Sequence, residues 1–134
     1  MTRIYAAGWA AAVALAVWGT AHAQDCHTAG YAQREGSVPE KDWLMGSGAQ
    51  GWRGPWGTTY ASNLRINVHA MGEGDWVTYM KDLKARPPMP WWSIRETSED
   101  DLRAMHAYIK QLGPGAETAV HPVSNASKVR REPK

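Results

Sequence analysis

The sequence predicts one small domain whose regular structure is mainly α-helical and whose helices are joined by long loops. Apolar residues recur at helical spacing between Gly72 and Lys84, and again between Ser98 and Leu112. Between Gln24 and Gly51, glycine and proline recur often enough to predict mostly loop, with a helical turn possible only from Glu40 to Met45. At 134 residues the chain has room for a single domain.

Both predicted helices carry signals at their ends. The first has acidic residues in its first turn and lysines in its last, which complements the helix dipole. Thr97 or Ser98 caps the second helix, and Gly113-Pro114 ends it. His106 is expected to pack beside the second apolar stripe, and His69 to be solvated. The apolar positions expected to form the core are Trp76, Val77, Met80, Leu83, Leu102, Met105, Tyr108, Ile109 and Leu112.

Residues 1–23 are typical of a secretion signal. Arg3 supplies the positive charge, an apolar run extends from Ala6 to Trp18, and a small-residue cleavage site ends at Ala23. The apolar run is shorter than the roughly 20 residues of a membrane-spanning helix, so membrane attachment is expected only if the signal stays uncleaved. Residues 24–114 then form the domain, and residues 115–134, which are polar and proline-containing, are expected to be disordered.

Charge and cysteine content narrow the function classes. The formal net charge is +2 at pH 7, and loss of Arg3 with the signal brings it closer to neutral, so no nucleic-acid partner is expected. A single cysteine, Cys26, excludes a disulfide within the chain. A free thiol, a disulfide to another chain and a modified cysteine remain open. The sequence shows no nucleophile–base constellation, so no enzymatic activity is expected.

Cys26-His27 matches the second half of the C-x-x-C-H haem-attachment motif, in which cysteines form thioethers and histidine ligates iron. Ala23 stands where the first cysteine of that motif belongs. Far downstream, Met89 lies between Pro88 and Pro90, and prolines on both sides favour a stiff, non-helical loop. A thioether on such a loop suits the sixth coordination position of a haem iron.

The segment from residue 51 to 64 is rich in glycine and aromatic residues, and two interpretations of it remain open. In one, it is a tight loop whose tryptophans pack inward. In the other, Trp52, Trp56 and Tyr60 line a pocket. Arg53 and Asn63 then bind carboxylates such as haem propionates, for which arginine is a good fork-shaped donor. Four glycines or prolines within residues 51–57 argue against a regular element at its start.

Four blocks of the chain resemble small bacterial c-type cytochromes, in particular mono-haem cytochromes and the haem domains of dehydrogenase cytochrome subunits. The blocks are Cys26-His27-Thr28-Ala29-Gly30, residues 51–64, Pro87-Pro88-Met89-Pro90-Trp91-Trp92 and residues 99–105. The resemblance spans residues 26 to about 114. It implies a mainly α, cytochrome c-like domain with long loops around a haem.

The resemblance also implies a set of roles. His27 is then the proximal iron ligand, Met89 the distal ligand and Cys26 a thioether anchor of haem c, with Trp91 among the residues that contact the cofactor. The implied function is electron transfer in the periplasm, with a redox partner protein such as a dehydrogenase or a terminal oxidase.

The chain departs from this family in two ways. The first attachment cysteine is missing, and so is the N-terminal helix that normally precedes the motif. Either the domain lacks that helix, or residues 5–22 stay attached and replace it. Two other functions therefore remain open beside the electron carrier: a haem-free exported binding or structural domain whose Cys26 pairs with another chain, and a copper site formed by Cys26, His27 and Met89.

Overall fold

The computed structural model describes residues 23–115. The predicted signal and the predicted disordered tail therefore lie almost entirely outside the described residues. In chain order, the elements are helix α1 (described over residues 23–27), a 3-10 turn (Glu40–Asp42), strands β1 (Gly51–Gly54) and β2 (Gly57–Tyr60), and helices α2 (Leu64–Ala70), α3 (Glu73–Lys81), α4 (Trp91–Glu96) and α5 (Glu99–Gln111). None of the helices within residues 23–115 is long and apolar enough to cross a membrane.

The core lies where α3 and α2 pack against α5. Their apolar stripes face one another because the residues recur at helical spacing, as the sequence predicts. Trp76 is fully buried in the centre, and its indole nitrogen donates to the carbonyl oxygen of Leu102 at 3.1 Å, which satisfies its polar atom. The buried apolar residues of this cluster are Leu44, Leu64, Val68, Trp76, Val77, Met80, Leu83, Leu102, Met105 and Ile109.

The predicted helix ends are close to those observed. Helix α3 begins at Glu73 and ends at Lys81, a turn earlier than predicted. Helix α5 is capped by Ser98, whose hydroxyl oxygen accepts from the backbone N–H of Asp101 at 3.1 Å. Gly113 follows α5 with φ +83°, a left-handed conformation that glycine adopts without strain.

The prediction of a mainly α, cytochrome c-like fold is wrong. The described residues form a small mixed α/β arrangement in which a two-stranded antiparallel sheet accompanies five helices, and about 46% of these residues are helical. The expectation that no regular element begins at residue 51 is wrong for the same reason, because β1 and β2 pair from Gly51–Tyr60 to Gly54–Gly57.

The glycines that argue against a strand are what allow this hairpin to form. Gly57 has φ +98° directly after the Pro55-Trp56 tip, where a side chain would be strained. A Cβ atom on Gly51 would lie 2.8 Å from the Tyr60 ring, and one on Gly54 would overlap the Trp56 ring. Both aromatic rings therefore lie over glycine backbone, and the glycines make room for them.

One buried cation ties the helical core to the loops. Arg65 of α2 is 6% exposed, and its guanidinium donates to the carbonyl oxygens of Gly113 at 2.8 Å, Lys41 at 2.9 Å and Leu112. The carbonyls at the C-terminal end of a helix carry partial negative charge and lack partners within the helix. Arg65 therefore joins the end of α5 to the 3-10 turn.

Candidate functional site

His27 lies at the end of α1 and is 7% exposed. Its Nδ1 atom lies 2.8 Å from the carbonyl oxygen of Ser62. A carbonyl oxygen can only accept, so Nδ1 carries the proton and Nε2 keeps its lone pair. Burial lowers the pKa of His27, against a smaller opposing effect of the Ser62 bond, so the ring is neutral at physiological pH. No hydrogen bond from another residue in the range 23–115 occupies Nε2.

The backbone around His27 is held by two other segments. The carbonyl oxygen of His27 accepts from the N–H of Gly46 at 2.7 Å. The hydroxyl oxygen of Thr28 accepts from the N–H of Leu44 at 2.9 Å, and the carbonyl of Leu44 accepts from the N–H of Leu64 at 2.9 Å. This series of bonds connects the end of α1 with the start of α2, so the imidazole is fixed through its ring and its backbone.

Cys26 precedes His27 and is a free, partly exposed thiol. Partial burial raises its pKa, and the neighbouring carboxylate of Asp25 raises it further. The side chain is therefore a neutral thiol at neutral pH, and it is accessible for modification.

Ser62 and Asn63 connect His27 to helix α2. The carbonyl of Ser62 holds the His27 ring, and Asn63 caps α2 by accepting from the N–H of Ile66 at 3.1 Å through its side-chain oxygen. The sequence predicts Asn63 as a carboxylate-binding residue near the haem. The structure places it next to the residue that orients His27 and gives its side-chain oxygen a helix-capping role.

The hairpin carries three further predicted residues. Arg53 and Tyr60 lie on one face of it, because Tyr60 is two positions beyond Thr58, the residue that pairs with Arg53. Trp56 lies at the tip. All three side chains are exposed, and Arg53 forms no ion pair within the described part of the chain. This face of the hairpin thus offers an accessible guanidinium, with the Tyr60 phenol at the diagonal position.

Met89 lies in the loop between α3 and α4, outside any helix as the sequence predicts. Its side chain is partly buried against the hydrophobic core. Trp91, the first residue of α4, also packs against the core, and its N–H donates to the carbonyl oxygen of Met89 at 2.9 Å. The main chain therefore fixes Met89 and Trp91 relative to each other.

The two other histidines singled out in the sequence behave as predicted. His106 is 4% exposed, packs beside Trp76 with ring centroids 6.1 Å apart, and bonds through Nε2 to the carbonyl oxygen of Met71 at 3.1 Å. His69 is exposed. Among residues 23–115, no three histidine, cysteine, aspartate or glutamate side chains come together in an arrangement that could hold a metal ion, so the copper hypothesis gains no further ligand.

The hydrogen-bond partner of His27 could not be predicted from the sequence. Ser62 acts through its backbone carbonyl, which every residue possesses, so its side chain gives no signal. Gly46 has φ +97° in the tight turn that brings its N–H to the carbonyl oxygen of His27. Because glycine adopts this conformation readily, Gly46 is the residue in the sequence that could have indicated the turn.

Comparisons with models of protein families, with curated proteins and with solved structures found no match for this chain.

Proposed function

We propose that this chain binds a c-type haem and transfers single electrons, with His27 and Met89 as axial iron ligands and Cys26 as the one thioether anchor. The observation that carries the proposal is the 2.8 Å hydrogen bond from His27 Nδ1 to the Ser62 carbonyl. Metal-ligating histidines are commonly oriented by such a bond from the ring nitrogen that does not bind the metal.

The residues fit the proposed group in three respects. The His27 ring is neutral and buried, so Nε2 is available as a ligand without first losing a proton. Cys26, the residue before His27, has a free and partly exposed thiol. Met89 supplies a soft thioether from a loop that packs on the core. A haem with this ligand pair supplies one-electron redox chemistry.

The protein's own contribution is to hold and orient these donors. The Ser62 carbonyl keeps the His27 proton on Nδ1 and strengthens the ring as a donor. If the iron is bound, the neutral thioether of Met89 would favour its reduced form and so would raise the reduction potential. Arg53, with Tyr60 beside it, is proposed to pair with a propionate, and Asn63, Trp56 and Trp91 are proposed to line the cofactor.

If His27 and Met89 both ligate the iron, the group would supply electron transfer at this site and no substrate chemistry. We therefore propose electron transfer with a dehydrogenase or a terminal oxidase as the partner, in the periplasm, and no enzymatic activity.

A pair of histidine variants tests the proposal. His27→Gln removes the proposed ligand, whereas His106→Gln removes a histidine that is equally buried and also bonded to a backbone carbonyl. Each protein is expressed with a c-type haem maturation system, and its haem is quantified as the pyridine haemochrome. We expect haem of low-spin character in the unchanged protein and in His106→Gln, and loss of the low-spin spectrum in His27→Gln.

Two results would contradict the proposal. One is an unchanged protein without a Soret band. The other is a His27→Gln protein with the same low-spin spectrum as the unchanged one, which would place the ligand elsewhere.

The partly exposed Cys26 thiol favours one alternative, a haem-free domain that forms a disulfide with another chain. Its raised pKa lowers the thiolate fraction and so slows spontaneous disulfide formation. Cys26-linked dimers on a non-reducing gel, with no haem stain, would support this alternative.

A further inference from the structure

A side chain from α4 forms hydrogen bonds at the N-terminal end of the loop that carries Met89. Arg95 donates through Nε to the carbonyl oxygen of Leu83 at 2.6 Å and through Nη2 to that of Asp82 at 2.9 Å. Both carbonyls follow the C-terminal end of α3, where a cation is favoured by the helix dipole. The guanidinium therefore fixes the point at which the chain leaves α3.

The same guanidinium lies at the second end of the loop. The Arg95 guanidinium carbon is 4.9 Å from the centroid of the Trp91 ring, within the range of a cation–π contact. The N–H of Trp91 in turn donates to the carbonyl oxygen of Met89 at 2.9 Å, and the N–H of Met89 donates to that of Arg86 at 3.2 Å. Arg95 thus contacts both ends of the segment between residues 82 and 91.

A lysine of α3 makes the reciprocal contact. Lys81 Nζ donates to the carbonyl oxygen of Arg95 at 3.0 Å and to that of Thr97 at 2.6 Å, at the C-terminal end of α4. Each helix therefore contributes a cation that caps the other. This exchange stabilises α4, which is only six residues long, and it keeps the Arg95 side chain directed towards the loop.

From these contacts we propose that Arg95 is a positioning residue for Met89, which holds the methionine loop closed so that the thioether stays available to the iron. The proposal rests on the proposed haem function. A loop whose two ends are fixed loses less conformational entropy when its methionine binds the iron. The methionine therefore binds more tightly, and a competing ligand displaces it only at a higher concentration. Loss of Arg95 should loosen the loop without removing Met89.

Competition with imidazole in the ferric holoprotein tests this effect. Arg95→Gln removes the positive charge and the planar guanidinium with its several N–H donors. Arg95→Lys keeps the positive charge but replaces the guanidinium with a single ammonium group. Arg103→Gln is the control, because Arg103 is another helical arginine whose two ion pairs, with Glu73 and Glu99, lie on the surface. The measurement is the imidazole concentration that halves the far-red sulfur-to-iron absorption band.

We expect Arg95→Gln to bind the same amount of haem as the unchanged protein. Its absorption band should be half lost at an imidazole concentration about tenfold lower. A tenfold shift is equivalent to roughly 1.4 kcal/mol, which is comparable to the loss of a charge-assisted hydrogen bond. Arg95→Lys should give an intermediate midpoint, and Arg103→Gln the unchanged one. Equal midpoints in Arg95→Gln and the unchanged protein would overturn the proposal.

A second readout uses the haem-free protein. Methyl-labelled methionine is followed by NMR, with the Met89 signal assigned from Met89→Leu. In Arg95→Gln the Met89 methyl signal should move towards its random-coil position, while that of Met80, which is buried in the core, stays in place. An unchanged Met89 signal would show that Arg95 does not order the loop.

The two readouts separate the two proposals. If the unchanged holoprotein shows no sulfur-to-iron band, Met89 is not a ligand and both the ligand assignment and the positioning role fail. If the band is present and insensitive to Arg95, only the positioning role fails.

Discussion

At the scale of single residues, the two buried histidines differ in the ring nitrogen that the backbone takes. His106 uses Nε2 to reach the Met71 carbonyl, whereas His27 uses Nδ1 to reach that of Ser62. Nε2 is the ring nitrogen farther from a histidine's own main chain, so His27 keeps the atom with the greater reach for a ligand. This difference, rather than burial, separates a candidate metal ligand from a packed core histidine.

The neutral state of His27 gives a pH prediction for the haem-free protein. Its folded-state pKa is lowered by burial, so in acid the unfolded chain binds a proton that the folded chain resists. The contribution to stability is therefore complete above the ordinary histidine pKa, near 6.5, and is lost as the pH falls below that value towards the lowered one. We expect the urea midpoint to decrease between pH 7.5 and pH 5.

Substitution of the histidine should reveal its share of this decrease. His27→Gln cannot take up the proton, so its midpoint should fall less over the same pH interval. His106→Gln retains His27, so the part of the decrease in its urea midpoint that is due to His27 should remain. Identical slopes in His27→Gln and the unchanged protein would mean that the folded state accommodates a charged His27.

At the scale of elements, the side chain of Arg65 connects helix α2 with the end of α5 and with the 3-10 turn. Its guanidinium is buried and bonded to carbonyls of three residues in two segments. Arg65→Met keeps much of the apolar stem but leaves those carbonyls without their donor. We expect a loss of about 2–3 kcal/mol in the free energy of unfolding, measured by urea denaturation.

A surface arginine supplies the comparison for this measurement. Arg103→Met removes two ion pairs whose side chains are 41–61% exposed. Because exposed pairs are screened by solvent, it should lower the free energy of unfolding much less than Arg65→Met does. If Arg65→Met were no less stable than Arg103→Met, the carbonyls that Arg65 bonds would have found other partners and the connection would be unimportant.

The elements that could be predicted are those whose sequence patterns lie within the element itself and extend over several turns. Helices α3 and α5 have repeated apolar positions, acidic first turns and, for α5, the Ser98 cap, and all of these lie in their own sequences. Helix α4 is six residues long and follows a proline, and it is stabilised by Lys81 from another helix. No local pattern contains that contact, so α4 could not be predicted.

The hairpin was missed because its glycines have two interpretations. A glycine every few residues usually indicates a loop. Here Gly51 and Gly54 are required because the rings of Tyr60 and Trp56 lie over them, which is a tertiary fact. Within the site, the loop position of Met89 and the packed His106 follow from proline and helical spacing, whereas the Ser62 carbonyl carries no side-chain signal at all.

At the scale of the whole molecule, one hydrophobic core connects the parts of the proposed site. Ala23, at the start of the described part of α1, packs against the same buried cluster as Met89 and Trp91. The helix that carries His27 and the loop that carries Met89 are thus both supported by the core of α2, α3 and α5. Changes in core packing should consequently alter the positions of both proposed ligands, His27 and Met89.

The single cysteine limits the proposed haem to one covalent link. The Cys26 thiol can add across one vinyl double bond, with its sulfur going to one carbon and its hydrogen to the other, so the addition needs no oxidant. The second vinyl group then remains conjugated with the ring. The reduced pyridine haemochrome should absorb to the red of a two-thioether cytochrome and to the blue of free protohaem. In Cys26→Ser, all of the haem should be extractable with acid acetone.

Ala23→Cys completes the C-x-x-C-H spacing, since residue 23 is the position of the missing cysteine. If residue 23 remains in the exported protein, this variant should shift the haemochrome band to the blue by saturating the second vinyl group, and intact mass should show a larger haem-bearing fraction. If the signal is cleaved after Ala23, the new cysteine leaves with it and the spectrum stays that of one thioether; the N-terminal mass distinguishes these cases. A two-thioether spectrum in the unchanged protein would refute the account, because Cys26 is its only cysteine.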